Sequence, residues 1–126
     1  MSDALQALAE QLRAEDSPIA PHVVDGPSPA FAEAPEGYAL VMEAVREGYL
    51  LHYGESRLLS GHDPDLALLA GDYLYALGLD RLAAAGDTRA VAVLSDLIAR
   101  CAQLHAEGRG DEVEALWVEA ARGIAG

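Results

Sequence analysis

The chain has 126 residues and a net charge of −13, which arises from 21 acidic residues against 8 arginines and no lysine. Phosphate groups are bound by clustered cations, so this balance excludes nucleic acid as a natural partner and disfavours an anionic membrane surface. The single cysteine, Cys101, excludes an internal disulfide and a cysteine-based zinc site. With no leader and no apolar run long enough to span a bilayer, the sequence predicts a cytoplasmic protein without a transmembrane segment.

The composition favours helices. Hydrophobic residues make up 52 % of the chain and are mostly alanine and leucine, which are good helix formers. The first predicted helix is capped by Ser2 or Asp3 and ends near Glu15. Its apolar stripe consists of Leu5, Leu8 and Leu12.

Residues 17–37 interrupt the helical pattern. They contain five of the six prolines, so neither a helix nor a central strand can run through them. The segment is either a loosely packed tether or an arm that grips a partner. The apolar residues available for such a grip are Ile19, Val23, Val24 and Phe31. The sequence therefore divides into an N-terminal helix (1–16), a Pro-rich linker or arm (17–37) and a helical bundle domain (38–126).

The bundle domain opens with a helix predicted to begin around Pro35, which suits a first-turn position. Helical spacing then places a long apolar stripe on one face, and Gly61 marks the end or the following turn. The stripe comprises Tyr38, Val41, Met42, Val45, Tyr49 and His52.

The next stretch, HDPDLALLAGDYLYALGLDRL (62–82), predicts a helix with Asp63 as N-cap and Pro64 in the first turn. Its leucines and tyrosines point in nearly every direction, and a helix that is apolar all round belongs at the centre of a bundle. Small residues such as Gly71 and Gly78 would let neighbouring helices approach closely.

Two further helices complete the prediction. Asp87 caps a fourth helix, whose apolar face is Val91, Leu94, Ile98 and Cys101. Asp111 caps a fifth, with a stripe of Val113, Leu116, Trp117, Ala120 and Ile124. Short connections between the later helices favour an all-α, antiparallel bundle of about five helices.

The acidic residues near the third helix are candidate metal ligands. Asp65 and Asp72 lie about 10 Å apart along a helix, too far to hold one ion easily, so Asp63 and Asp65 are interpreted as helix-start residues. Asp72 lies within an apolar helix and needs a donor from a tyrosine, an arginine or a helix end. The four histidines form no metal-binding pair. We therefore predict no metal, no cofactor and no catalytic residue.

Residues 68–99, LLAGDYLYALGLDRLAAAGDTRAVAVLSDLIA, resemble trans-polyprenyl diphosphate synthases, which have the isoprenoid synthase fold. In that family a Gly-Asp-Tyr/Phe-Leu helix precedes a Gly-Asp turn and another helix, and Leu50-Leu51-His52 stands where the family reads Leu-hydrophobic-His-Asp-Asp. The resemblance covers roughly residues 38–107. It implies an isoprenoid-synthase-like fragment.

The chain departs from the family at the metal motif. His52 is followed by Tyr53, and no Asp-Asp-x-x-Asp occurs anywhere in the chain. Without those carboxylates magnesium and diphosphate have no clamp, which supplies the main catalytic effect in such enzymes. The resemblance thus implies a truncated, non-catalytic relative, similar to the small subunits that shape the product tunnel of a partner synthase.

Two functional hypotheses follow. The first is a non-catalytic accessory subunit that packs on a partner enzyme and shapes a polyprenyl-lipid slot; the residues assigned to this slot or partner surface are Gly71, Asp72, Tyr75 and Gly78. The alternative is a self-associating helical scaffold without ligand, a dimer formed through the second and third helices. Magnesium-dependent prenyl transfer ranks last.

Overall fold

The computed structural model describes residues 3–24 and 37–124. Within them the chain forms five α-helices: α1 (Asp3–Ala14), α2 (Ala39–Tyr53), α3 (Pro64–Ala84), α4 (Thr88–Ala106) and α5 (Val113–Ile124). Short 3-10 turns lie at Ala20–His22 and Gly110–Glu112. These ranges contain no strand, and the all-α, five-helix prediction is confirmed. None of these helices combines the length and hydropathy that a bilayer span requires.

Local capping sets several helix starts. The Asp63 carboxylate accepts a hydrogen bond from the Leu66 amide at 2.8 Å, and the Asp87 carboxylate accepts one from the Ala90 amide at 3.1 Å. Both predicted caps are confirmed. In each, the carboxylate accepts a hydrogen bond from an amide three residues later, which has no partner within the helix. The predicted cap at Asp111 is wrong, since this residue lies in the 3-10 turn before α5.

Two predicted helix starts involve residues at the edge of the described ranges. Ser2 and Pro35 lie outside them. Helix α1 is assigned from Asp3, and α2 begins at Ala39, where the flanking Tyr38 makes no side-chain cap.

Helix α1 is part of the bundle core. Its stripe is buried in one apolar cluster with residues of the loop after α2 and of α3. The members of this N-terminal cluster are Leu5, Leu8, Ala9, Leu12, Ile19, Ala44, Leu51, Leu58, Leu59, Ala70 and Leu74. The boundary drawn after residue 16 therefore does not separate two cores.

The segment after α1 docks on its own chain. Ile19 is buried in the N-terminal cluster, and the Val24 amide donates to the Leu58 carbonyl at 2.7 Å. Val23 and Leu59 form an isolated antiparallel bridge. The interpretation of Ile19 and Val23 as an arm around a partner is thus replaced by an intramolecular contact, because the chain's own loop covers them. Val24 is partly exposed, and Phe31 lies outside the described residues.

Helix α2, rather than α3, occupies the centre of the bundle. From Ala39 to His52 no residue of α2 is exposed. Helix α3 packs one face on α2 but leaves Leu68 and Leu69 51 % and 60 % exposed. The prediction that α3 is buried on all sides is wrong, because its aspartates take up a solvent-facing side and the leucines beside them are exposed too.

A second apolar cluster joins α2 to the C-terminal helices. Its largest member is the buried indole of Trp117. The other buried members are Val41, Met42, Val45, Tyr49, Leu82, Ala90, Leu94, Leu97, Cys101, Val113, Ala120 and Ile124. The predicted stripe of α5 is confirmed, with Leu116 at its partly buried edge.

Candidate functional site

Helices α2 and α3 approach each other at three glycines. A Cβ atom on Gly48 would lie 2.9 Å from the Gly71 carbonyl oxygen, and one on Gly71 would lie 2.6 Å from His52 Cδ2. A Cβ on Gly78 would lie 2.8 Å from Val45 Cγ2. The close approach predicted for Gly71 and Gly78 is therefore present. Both glycines lie in a closed helix–helix contact rather than along an open slot.

Asp72 lies at the solvent edge of this contact. Its carboxylate accepts a hydrogen bond from His52 Nε2 at 3.0 Å, and its side chain is 75 % exposed. The prediction of a carboxylate inside an apolar environment is wrong, and its donor is a histidine rather than a tyrosine, an arginine or a helix end. The His52 ring also stacks on Tyr75, with centroids 5.4 Å apart and planes inclined by 5°. Asp72 and Tyr75 thus hold His52 from two sides.

A cluster of rings continues from this contact towards α4 and α5. Tyr53 stacks on His105 with centroids 4.1 Å apart, and the Tyr49 hydroxyl lies 2.7 Å from His105 Nε2. Tyr49 also meets the edge of Trp117, and the Arg46 guanidinium lies about 5 Å from both of these ring centroids. The cluster joins three helices through side chains far apart in sequence.

Burial keeps the phenols in this region protonated to higher pH than an ordinary tyrosine, whose pKa is already well above neutral. It raises the pKa of Tyr49 and, more strongly, that of Tyr75. Burial, reinforced by a hydrogen bond to Glu15, raises the pKa of Tyr73 to about 12. All three phenols therefore stay protonated near neutral pH and act as donors or packing groups. They are not available as bases.

Two glutamates of α2 are buried and were missed by sequence reasoning. Glu43 and Glu47 lie one helical turn apart, and Arg57 Nη2 is 3.0 Å from Glu43 Oε1. The Arg57 amide donates to Glu47 Oε1 at 2.7 Å, and its Nε lies 3.4 Å from the same oxygen. Burial raises the pKa of Glu47, and the Arg57 charge opposes that shift. The only available signal was the four-residue spacing of the glutamates followed by a lone arginine.

Within residues 3–24 and 37–124, no group of three or more histidine, cysteine, aspartate or glutamate side chains is arranged to hold a metal ion. Asp63 serves as the α3 cap, and Asp65 lies in the first turn of that helix. Cys101 is buried, and burial raises the pKa of its thiol to about 11, which keeps it in the unreactive protonated form.

The solvent-facing side of α3 exposes more large apolar side chains than any other described helix. Large apolar side chains with more than a third of their surface exposed are few, and three of them lie together on α3: Leu68, Leu69 and Tyr73. We call the solvent-facing side of this helix the outer strip, and it consists of Asp65, Leu68, Leu69, Asp72, Tyr73, Ala76 and Asp80. Of the four residues assigned to a partner or lipid surface, only Asp72 belongs to it.

Comparison with protein-family models, with curated proteins and with solved structures gives no match for this chain. The resemblance to prenyl synthases therefore stays a prediction.

Proposed function

We propose that this chain is a non-catalytic accessory subunit that binds a partner enzyme through the outer strip of α3. The observation that carries the proposal is the exposure of Leu68 (51 %), Leu69 (60 %) and Tyr73 (36 %) on one side of a single helix. Contiguous exposed apolar side chains mark interaction surfaces, since leaving them in water costs free energy that a partner recovers by covering them.

The polar groups of the bundle support a non-catalytic role. His52 is held by Asp72, and His105 lies within hydrogen-bonding distance of the Tyr49 hydroxyl. Glu47 is engaged by Arg57 in the interior. Each of these groups has a hydrogen-bond partner within the chain, which accounts for its position without a substrate.

A prenyl synthase is the first partner to test, because the resemblance of residues 38–107 to that family motivated the accessory-subunit hypothesis. Since Gly71 and Gly78 lie in a closed contact with α2, we place a polyprenyl chain, where one is bound, between the outer strip and the partner.

Co-expression with a prenyl synthase from the same genome, followed by light scattering after size exclusion, tests this proposal. The wild-type chain is expected to elute in a stoichiometric complex, and Leu69→Asp is expected to release it. Val118→Asp is the matched control, because Val118 is 50 % exposed on α5, away from the strip. Separate elution of the wild-type chain, or equal loss with both variants, contradicts the proposal.

Self-association through the same strip is the alternative, and the same measurement detects it. A lipid-free homodimer that Leu69→Asp dissociates would favour a scaffold. The charge of the strip argues against this outcome, because pairing two copies brings three aspartates from each into one interface.

A further inference from the structure

Acidic and apolar residues alternate along the outer strip. Asp65, Asp72 and Asp80 follow one another at intervals of seven and eight residues. At a rise of 1.5 Å per residue, these intervals correspond to roughly 10 and 12 Å along the helix. Leu68 and Leu69 fill the first interval, and Tyr73 and Ala76 fill the second. The strip is thus an apolar ridge with a negative charge about every two turns.

Two side chains next to the strip make hydrogen bonds within the chain. The Arg81 guanidinium is directed towards α1, where it donates to Gln11 Oε1 at 2.8 Å. His52 donates to Asp72 from the α2 side. The chain has a net charge of −13, and the three aspartates of the strip are exposed, so a basic partner surface complements the charge of the strip.

The ring of Tyr73 in the strip is suited to an apolar contact. Its hydroxyl donates to Glu15 Oε2 at 2.6 Å, so the polar atom of Tyr73 is satisfied within the chain. The exposed part of the ring can therefore be covered without stranding a hydrogen-bond donor. Leu69 lies one turn before Tyr73, and the two form a continuous apolar contact surface.

We propose, resting on the function proposed above, that the partner segment bound by the outer strip is an amphipathic helix whose apolar stripe is flanked by lysine or arginine. Leucine-type side chains of that helix cover Leu69 and Tyr73, and its cations, spaced two turns apart, face the aspartates of the strip. Apolar cover supplies the stability of such a contact, while charge complementarity sets its register and speeds association.

Two synthetic model helices test the chemistry on the intact chain. One carries a leucine stripe flanked by lysines, and the other is identical except that glutamates replace the lysines. Residue-resolved NMR titration of the full-length protein is expected to show shifts on α3 with the lysine helix and none with the glutamate helix. Raising the salt concentration from about 0.05 to 0.5 M is expected to weaken binding, because exposed charges are screened.

Charge-neutral variants identify the aspartates responsible. The triple variant Asp65→Asn, Asp72→Asn, Asp80→Asn is expected to bind the lysine helix about tenfold more weakly at low salt. The control variant Asp96→Asn, Asp111→Asn, Glu119→Gln removes the same charge from exposed positions of α4, the 3-10 turn and α5. This control is expected to change the affinity less than twofold. Far-ultraviolet circular dichroism checks that both variants keep their helices.

Equal binding of the two model helices, shifts located away from α3, or equal weakening in the two triple variants would overturn this inference. The accessory-subunit proposal fails separately. It survives when Leu69→Asp releases the co-expressed enzyme while the asparagine variant still binds it, which would indicate an apolar partner surface without a basic rim.

Discussion

Arg57 lies beside two carboxylates that α2 carries into the interior of the bundle, at positions 43 and 47. A buried ion pair contributes little net stability as a unit, since the ions lose their hydration, but removal of one member leaves an uncompensated charge. Here the arrangement also fixes the loop after α2, because Glu47 accepts the Arg57 backbone amide. At the scale of single residues, this site is therefore expected to be sensitive to substitution.

We expect Arg57→Ala to lower the free energy of unfolding by about 3–5 kcal/mol, since Glu47 then stays buried without its counter-ion. Glu114→Ala is the control, because it removes the exposed member of the Arg46–Glu114 pair and is expected to cost at most about 1 kcal/mol. Urea denaturation of both variants measures the difference. Similar losses of unfolding free energy in the two variants would show that the buried pair contributes no more to stability than the exposed pair.

The pH dependence of stability provides a second check at Glu47. Burial raises its pKa above the ordinary 4.5, so the folded chain holds this proton more tightly than the unfolded chain. The free energy of unfolding therefore loses a contribution as the pH rises from 4.5 through the raised pKa. Glu47→Gln cannot titrate and lacks this loss. Urea midpoints of the variant and the wild type are expected to diverge across that window; parallel pH profiles would contradict the assignment.

At the scale of helices, the tight contact between α2 and α3 depends on glycine. Beside the Gly71 carbonyl oxygen at 2.9 Å, a Cβ on Gly48 would meet Tyr75 Cδ1 at 2.7 Å. A backbone carbonyl in a helix cannot move aside cheaply, because it belongs to the hydrogen-bonded ladder. The two helices would have to separate to accept a larger residue.

Gly48→Ala is expected to lower the free energy of unfolding by roughly 1–3 kcal/mol, although alanine is the better helix former by about 1 kcal/mol. Gly123→Ala in α5 provides the comparison, since a Cβ there meets nothing within 4 Å. That variant is expected to be neutral or slightly more stable. Thermal unfolding followed by circular dichroism compares them, and a stabilising effect of Gly48→Ala would refute the close contact.

At the scale of the whole molecule, α2 connects α1 to the C-terminal helices, because it contributes side chains to both apolar clusters. Leu8 lies in the N-terminal cluster, whereas Trp117 lies in the cluster formed with α4 and α5. Helix α2 contributes Ala44 and Leu51 to the first cluster and Val45 to the second. Loss of packing at α1 is therefore expected to destabilise the cluster formed by α4 and α5 as well.

We expect Leu8→Ala to shift the unfolding transition reported by Trp117 fluorescence, with a loss of about 2–5 kcal/mol. Trp117 is the only tryptophan, so its emission reports the C-terminal cluster alone. Leu68→Ala provides the control, because Leu68 is exposed and its truncation is expected to cost at most about 0.5 kcal/mol. An unchanged tryptophan transition in Leu8→Ala would instead mean that residues 1–16 form a separate unit.

Local signals in the sequence were sufficient for the fold class, the caps at Asp63 and Asp87 and the stripe of α5. Each of these features depends only on residues within a few helical turns of one another. A cap and an apolar face can therefore be recognised without knowing how the helices pack. The residues that form a close helix contact could likewise be anticipated at Gly71 and Gly78, because only small side chains permit it.

The tertiary structure alone decided which helix is central, why two glutamates are buried and where α1 packs. Periodicity shows that a face is apolar but does not show what covers it, so the sequence pattern alone predicts α3 at the centre of the bundle instead of α2. Arg57 stabilises buried carboxylates 10 and 14 residues away, and Tyr49 meets His105 across 56 residues. Contacts over such sequence distances form only when a loop folds back on a helix or helices pack together. The sequence therefore determined the elements, and the packing determined which side of α3 stays exposed.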